Sequence, residues 1–215
     1  QQIKDGANYV SDGRSHIVNF KANDAVMGEN GSEVKLDKAG EVTVTADVLA
    51  YLPEKQNEAG KHIAGDGLWG RPYWHLEKAR IGESRMVPVE LVVNGYAVQY
   101  AEIEADGSMR HVEFKQHVDR SSWVALRVLA SCHTNPIYLT VAGAPIRASK
   151  RSAKWCRASV DTCWKNKEPA IRAEEHAAAA DAYEHARKAF DAIIAEAYDD
   201  TDSKLAATPL KRPAL

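Results

Sequence analysis

Three short stretches carry the side chains able to do chemistry. In Ser11-Asp12-Gly13-Arg14-Ser15-His16 a carboxylate, a guanidinium and an imidazole surround a glycine. These types either bind a divalent metal or tie a loop together by hydrogen bonds. A metal site needs several convergent ligands, and the spacing of Asp12 and His16 departs from an Asp-x-His pair, so a hydrogen-bonded loop is the expectation. Trp69, Tyr73 and Trp74 close a polar segment. Their rings would form a platform for a sugar or planar ligand, or would pin the segment back onto the protein. Arg127 sits among apolar neighbours in Trp123-Val-Ala-Leu-Arg-Val128 and must find an acceptor, because an unpaired guanidinium in such surroundings is costly. The loop that follows, Cys132-His133-Thr134-Asn135-Pro136, offers acceptors nearby. We therefore expect Arg127 to bond in or beside it, with His133 and Asn135 as further polar groups for a ligand.

The remaining candidates do not converge. His62, His75, His111 and His117 share no helical or strand face, and His176 and His185 stand on a charged stretch where solvation is the simplest expectation. There is no CxxC, no zinc-type Cys/His spacing, no HExxH, no nucleophile elbow and no phosphate-binding glycine loop. Cys156 and Cys163 on one helix would lie about 10 Å apart, beyond disulfide reach. Three free thiols are expected, although either could meet Cys132 if the helix docked beside that loop in an oxidising compartment. Catalytic residues and metal ligands are thus expected to be absent from this chain.

Composition bounds the classes. The 215 residues carry a formal charge of −2, with 45% hydrophobic and 27% charged residues. That is ordinary globular composition with no general basic footprint for nucleic acid. No apolar run approaches the roughly 18 residues of a membrane span. Compartment is not legible.

The elements that must hold these groups change character near Ser149. Before it, Glu41 to Tyr51 alternates, with Val42, Val44, Ala46 and Val48 inward. Val87 to Val93, Asn94-Gly95 and Tyr96 to Glu104 form a hairpin with a turn that wants positive φ at both central residues. His16–Ala22, Met109–Val118, Ser122–Leu129 and Ile137–Val141 complete a set of short strands that favours an antiparallel sandwich. Residues 53–71 read as an exposed excursion between strands. After Ser149, Ser152 is placed to cap a helix whose face of Trp155, Cys156, Ser159, Val160, Cys163 and Trp164 would pack on the sandwich. Lys150, Arg151 and Lys154 give that helix a basic start. Pro169 then suits the first turn of a longer helix, with a stripe at Ala179, Tyr183, Ala186, Phe190, Ile193 and Ala197. That stripe suits either the preceding helix or a second copy of the chain. The fold class expected is α+β, an antiparallel β-sandwich followed by a C-terminal pair of helices. Its parts are a junction segment over 1–15, the sandwich over 16–148, a helical appendage over 149–198 and a flexible tail over 199–215.

Four segments also resemble a known family. Tyr9-Val-Ser-Asp-Gly-Arg-Ser-His16, Tyr73-Trp-His-Leu-Glu-Lys-Ala-Arg-Ile-Gly82, Ser121–Val141, and Pro145–Cys156 continuing to Cys163-Trp164 look like the C-terminal part of the CehA/McbA-type metallohydrolases. These are relatives of the polymerase-and-histidinol-phosphatase (PHP) superfamily. The resemblance implies that a catalytic PHP domain with its divalent metal precedes Gln1, and that Asp12, Arg14 and His16 lie at the junction with it. This chain would then be a noncatalytic domain that buttresses or walls that enzyme, partnered by its own catalytic domain. Two alternatives follow from the residues: a β-sandwich that binds carbohydrate or another small ligand through Trp69, Tyr73 and Trp74, and a module that forms a homodimer through the long helix.

Overall fold

The structure, a computed structural model, describes residues 1–199. The tail expected over 199–215 lies outside them except for Asp199. A short helix α1 (Gln2–Asp5) and β1 (Tyr9–Ser11) precede β2 (Ser15–Ala22), β3 (Ala25–Val26), β4 (Glu33–Leu36) and β5 (Gly40–Ala50). Next come α2 (Glu58–Gly65) and a 3₁₀ turn (Leu76–Ala79). The remaining strands are β6 (Met86–Val93), β7 (Tyr96–Glu104), β8 (Arg110–Val118), β9 (Ser122–Val128), β10 (Cys132–Thr134) and β11 (Ile137–Val141). Helices α3 (Lys150–Lys167) and α4 (Ala173–Glu196) close the chain. The fold is α+β, a β-sandwich followed by a C-terminal helix pair. Its described residues divide into two compact units at residues 146 and 147.

One sheet of the sandwich has the order β3-β2-β5-β8, antiparallel throughout. The other centres on β9, which pairs with β6 along one edge. Its other edge is shared: β11 takes Ser122 to Val124 and β10 takes Arg127 and Val128. Beyond these lie β1 beside β10, β7 beside β6, and β4 beside β11, the one parallel pair among the described residues. Residues Cys132 to Val141 are therefore one returning strand with an irregularity at Asn135-Pro136, where the sequence alone suggested a polar loop. Thr134 Oγ1 accepts the Leu126 N–H at 3.1 Å and so fills the gap in the ladder. Tyr9–Ser11, expected in a junction segment, is the strand that covers β10.

Alternation builds the core. Val42, Val44, Ala46 and Val48 on β5 are buried, as their period of two requires. In β2 a bulge between Val18 and Lys21, with Asn19 at φ 54°, turns both Ile17 and Phe20 inward. The β6–β7 hairpin turns through Asn94 (φ 51°) and Gly95 (φ 93°), as expected for that dipeptide. Unlike a half-buried strand, β6 is buried on both faces from Val87 to Val93.

The segment read as an exposed excursion contains α2 and the 3₁₀ turn. Asn57 caps α2 by accepting the Gly60 N–H, and Gly60 lies so close to Glu77 that a Cβ there would come within 2.9 Å of its carboxylate. In the helical unit the N-cap of α3 is Ser149, whose side chain accepts the Ser152 N–H, rather than Ser152 itself. Pro169 falls in a 3₁₀ turn (Glu168–Ala170), so α4 starts three residues after that turn, at Ala173. The stripe from Ala179 to Ile193 is half-buried and Ala197 is buried. Tyr183 meets Trp164 (ring centroids 4.9 Å) and Cys163 Sγ (3.1 Å), so α3 is the partner of that stripe in a helical hairpin. Trp155, expected on the packed face of α3, is 72% exposed.

Candidate functional site

Residues opposite one another on antiparallel strands share a face. On the outer face of the β9 sheet this puts Arg127 between Glu90 and His133, Ala125 beside Val92, and Trp123 beside Tyr138. These side chains, Glu90 excepted, line the floor of a groove of about 720 Å³, and Leu68, Trp69, Tyr73 and Trp74 stand along it. The volume is in the usual range for small-ligand sites. Trp69 is 90% exposed, Trp74 55% and Tyr73 46%. The three rings are not pinned onto the sheet. Tyr73 instead carries the Arg71 guanidinium over its face, 5.9 Å from the centroid.

The partner of Arg127 is not in the Cys132–Pro136 loop. Its Nε donates to Glu90 Oε2 at 2.5 Å, across the β6–β9 ladder, and Glu90 is 1% exposed. The requirement for an acceptor was legible locally, but the acceptor comes from a strand more than thirty residues away. Nη1 and Nη2 of Arg127 make no hydrogen bond among the described residues, and they belong to a side chain that lines the groove. His133 uses Nδ1 on the Thr134 carbonyl oxygen at 3.3 Å and is exposed. Asn135 lines the groove too, but both bonds of its amide nitrogen go to Gly6 O and Asn8 Oδ1, at 3.1 and 3.2 Å. It is a clip for the N-terminal segment.

Asp12 is a clamp. Oδ1 accepts the Arg14 N–H (2.8 Å) and the Ser131 hydroxyl (2.5 Å), while Oδ2 accepts the Leu76 N–H (3.0 Å). One carboxylate thus joins the loop before β2, the turn before β10 and the return from the ring-bearing segment. Ser131 is held further by Ser15, Oγ to Oγ 2.6 Å. Arg14 serves through its backbone, its carbonyl accepting the Tyr51 N–H. His16 has its Nδ1 bonded to the Tyr9 hydroxyl at 2.8 Å. Among the described residues no group of three His, Cys, Asp or Glu side chains is placed to hold a metal ion.

A second anchor was not foreseen. Arg80 and Glu77 form a buried forked pair at 2.6 and 2.9 Å, and Arg80 also donates to the Ser84 and Pro53 carbonyls, both at 3.0 Å. Gln56 donates to Glu77, and Lys78 Nζ donates to the Gly67 carbonyl two residues from Trp69. Burial by itself would raise the Glu77 pKa, but the bonds from Arg80 and Gln56 outweigh it and hold the carboxyl below its ordinary value. Burial, then the nearby Arg14 charge, pushes His75 down, so the neutral ring keeps Nδ1 as acceptor for the Glu77 N–H. Cys132, buried beneath the floor, has its thiol pushed up to about 12, and all three cysteines are free.

The ring-bearing segment is therefore fixed at both ends by buried and part-buried polar bonds while its aromatic tips stay in solvent. A sequence reader could have found Glu90 as the lone acid in the apolar run Val87–Val93. The Glu77–Arg80 spacing of three residues in Leu76-Glu-Lys-Ala-Arg80 was a further available signal.

No family model and no curated protein sequence matches the chain. No helix among the described residues is long and apolar enough to cross a membrane.

Proposed function

We propose that this chain is a noncatalytic β-sandwich domain that binds a small ligand in its aromatic groove, and that it does so as the accessory domain of a PHP-type metal-dependent hydrolase. The observation that carries the binding half is the contrast at one site between exposed rings and rigid supports. Trp69, Tyr73 and Trp74 keep large apolar area in water. The Asp12 clamp and the Arg80–Glu77 fork fix the segment that bears them. Ordering cost is thus met on folding, and little further is lost when a ligand arrives. Contiguous exposed apolar area beside convergent polar groups marks a binding site.

The hydrolase setting rests on the resemblance of Tyr9–His16, Tyr73–Gly82, Ser121–Val141 and Pro145–Cys156. In that setting the divalent metal and the catalytic groups belong to a domain upstream of Gln1, and the sandwich walls its cleft. Self-association through α4 is the lesser proposal, because α3 already takes the stripe.

Two measurements test the two halves. Titrating the chain with 1-naphthol, a neutral planar probe, while recording the indole N–H resonances should shift Trp69, Trp74 and Trp123 and leave Trp164 in place. Uniform or absent shifts overturn the groove. Sequencing the gene upstream of the Gln1 codon should reveal a reading frame with the His and Asp motifs of a PHP domain. A stop codon or an unrelated domain there overturns the setting.

A further inference from the structure

We infer that the ligand of the groove is a neutral glycan, a chain of pyranose units. The inference rests on the groove being a ligand site and adds the chemistry of what fills it. Three features of the floor and wall decide the class. First, the rings stand on two sides: Trp69, Tyr73 and Trp74 on the segment before β6, and Trp123 and Tyr138 on the sheet. A pyranose has apolar C–H faces that stack on such rings and a rim of hydroxyls between them.

Second, polar groups sit among the rings. Arg127 has two nitrogens without partners among the described residues and His133 has Nε2. A wholly apolar ligand would strip water from these groups and return nothing, which costs more than its burial gains at that point. Sugar hydroxyls satisfy both kinds, their oxygens accepting from the guanidinium and their O–H groups donating to Nε2.

Third, the charge is cancelled at its root. Glu90 is 1% exposed and bonded to Arg127 Nε, so the ion pair as a whole presents donors without net positive charge. An anion placed there would meet the Glu90 carboxylate behind the guanidinium, and among the lining residues Arg127 is the only Lys or Arg. A site built for a carboxylate or phosphate leaves its arginine charge uncompensated for the ligand to neutralise. This one does not. Neutral hydroxyl-rich rings match all three features.

The experiment uses the whole chain and follows the indole N–H resonances of its tryptophans. The neutral probes are cellohexaose, mannohexaose and chitohexaose. Hexagalacturonate is the charged counterpart, polyproline peptide the rival for an aromatic groove, and 1-naphthol the report on the groove itself. At least one neutral hexasaccharide should shift Trp69, Trp74 and Trp123, and bind about tenfold more tightly than hexagalacturonate. Trp69→Ala should weaken glycan binding about tenfold. The double variant Arg127→Met, Glu90→Leu removes the donors without stranding a buried carboxylate. It should lose the glycan yet keep 1-naphthol, which also shows that it folds.

Tighter binding of hexagalacturonate or of polyproline than of every neutral glycan overturns the inference. So does a lack of shifts by all three glycans at about 10 mM, a ceiling that covers even weak sites, while 1-naphthol still binds. In that case the groove stands and only the glycan class falls. If 1-naphthol fails as well, the groove falls with it.

Discussion

The two units of this chain bury their apolar side chains to very different depths. In the sandwich, Ile17, Val44, Leu91, Leu126 and Leu139 are completely buried, each held between two sheets. Among the described residues of the helical hairpin only Ala153 and Ala197 are buried, and the stripe of α4 stays half-exposed. A sheet whose inner face meets another sheet loses water on every second residue, whereas a helix in a two-helix hairpin meets its partner along one narrow seam. The polar bonds follow the same division. The Arg80–Glu77 pair of the sandwich is 1% and 4% exposed, while Arg157, Asp161, Arg187 and Asp191 form a network at the hairpin surface. The sandwich is the rigid body that can hold a site. The hairpin draws its stability from many small terms.

The strongest attempt to break that contrast removes a large core side chain. Phe20→Ala should cost about 3–5 kcal/mol in chemical denaturation. A loss under about 1 kcal/mol would mean that the sandwich core is not what holds this unit.

Next comes the buried pair. Arg80→Met strands Glu77 and should cost about 3–5 kcal/mol at neutral pH. Glu77 has its pKa depressed in the folded state, so its contribution is present above the unfolded value and disappears as pH falls through the folded one. The loss in Arg80→Met relative to the parent should therefore shrink below about pH 4. A difference constant from pH 7 to 3 would show that the pair is not the source.

Arg127→Met should lower stability by about 2–3 kcal/mol, because it leaves the Glu90 carboxylate buried. Adding Glu90→Leu should restore most of that loss, and failure to restore it would break the assignment of Glu90 as the partner.

Sharpening the hairpin side, Phe190→Ala should cost about 1–2 kcal/mol, below the core value because the ring is only half-buried. A loss as large as that of Phe20→Ala would erase the contrast. The smallest effect is expected at Arg187→Ala, detectable at low salt and absent in high salt, as for other surface ion pairs.

Legibility followed range. The alternation of β5, the Asn94-Gly95 hairpin and the stripe of α4 could be read directly, since each depends on residues within a few positions of one another. The short strands β1, β4 and β10 escaped, because three or four residues carry too little periodicity and become strands only through a neighbour. Of the site, the rings and the need of Arg127 for an acceptor were visible in the chain. The identity of that acceptor and the commitment of Asn135 to Gly6 and Asn8 were not.

By itself the sequence determined the fold class, the inward faces of the long strands and the residue types available for binding, because period and turn chemistry are local properties. Only the tertiary structure decided that Trp69, Tyr73 and Trp74 stay in solvent and that Asp12 is a clamp between three segments. It also decided that Arg127 meets Glu90. Each of these depends on contacts between distant segments, and register between strands is settled by the whole core closing at once rather than by any one stretch of chain.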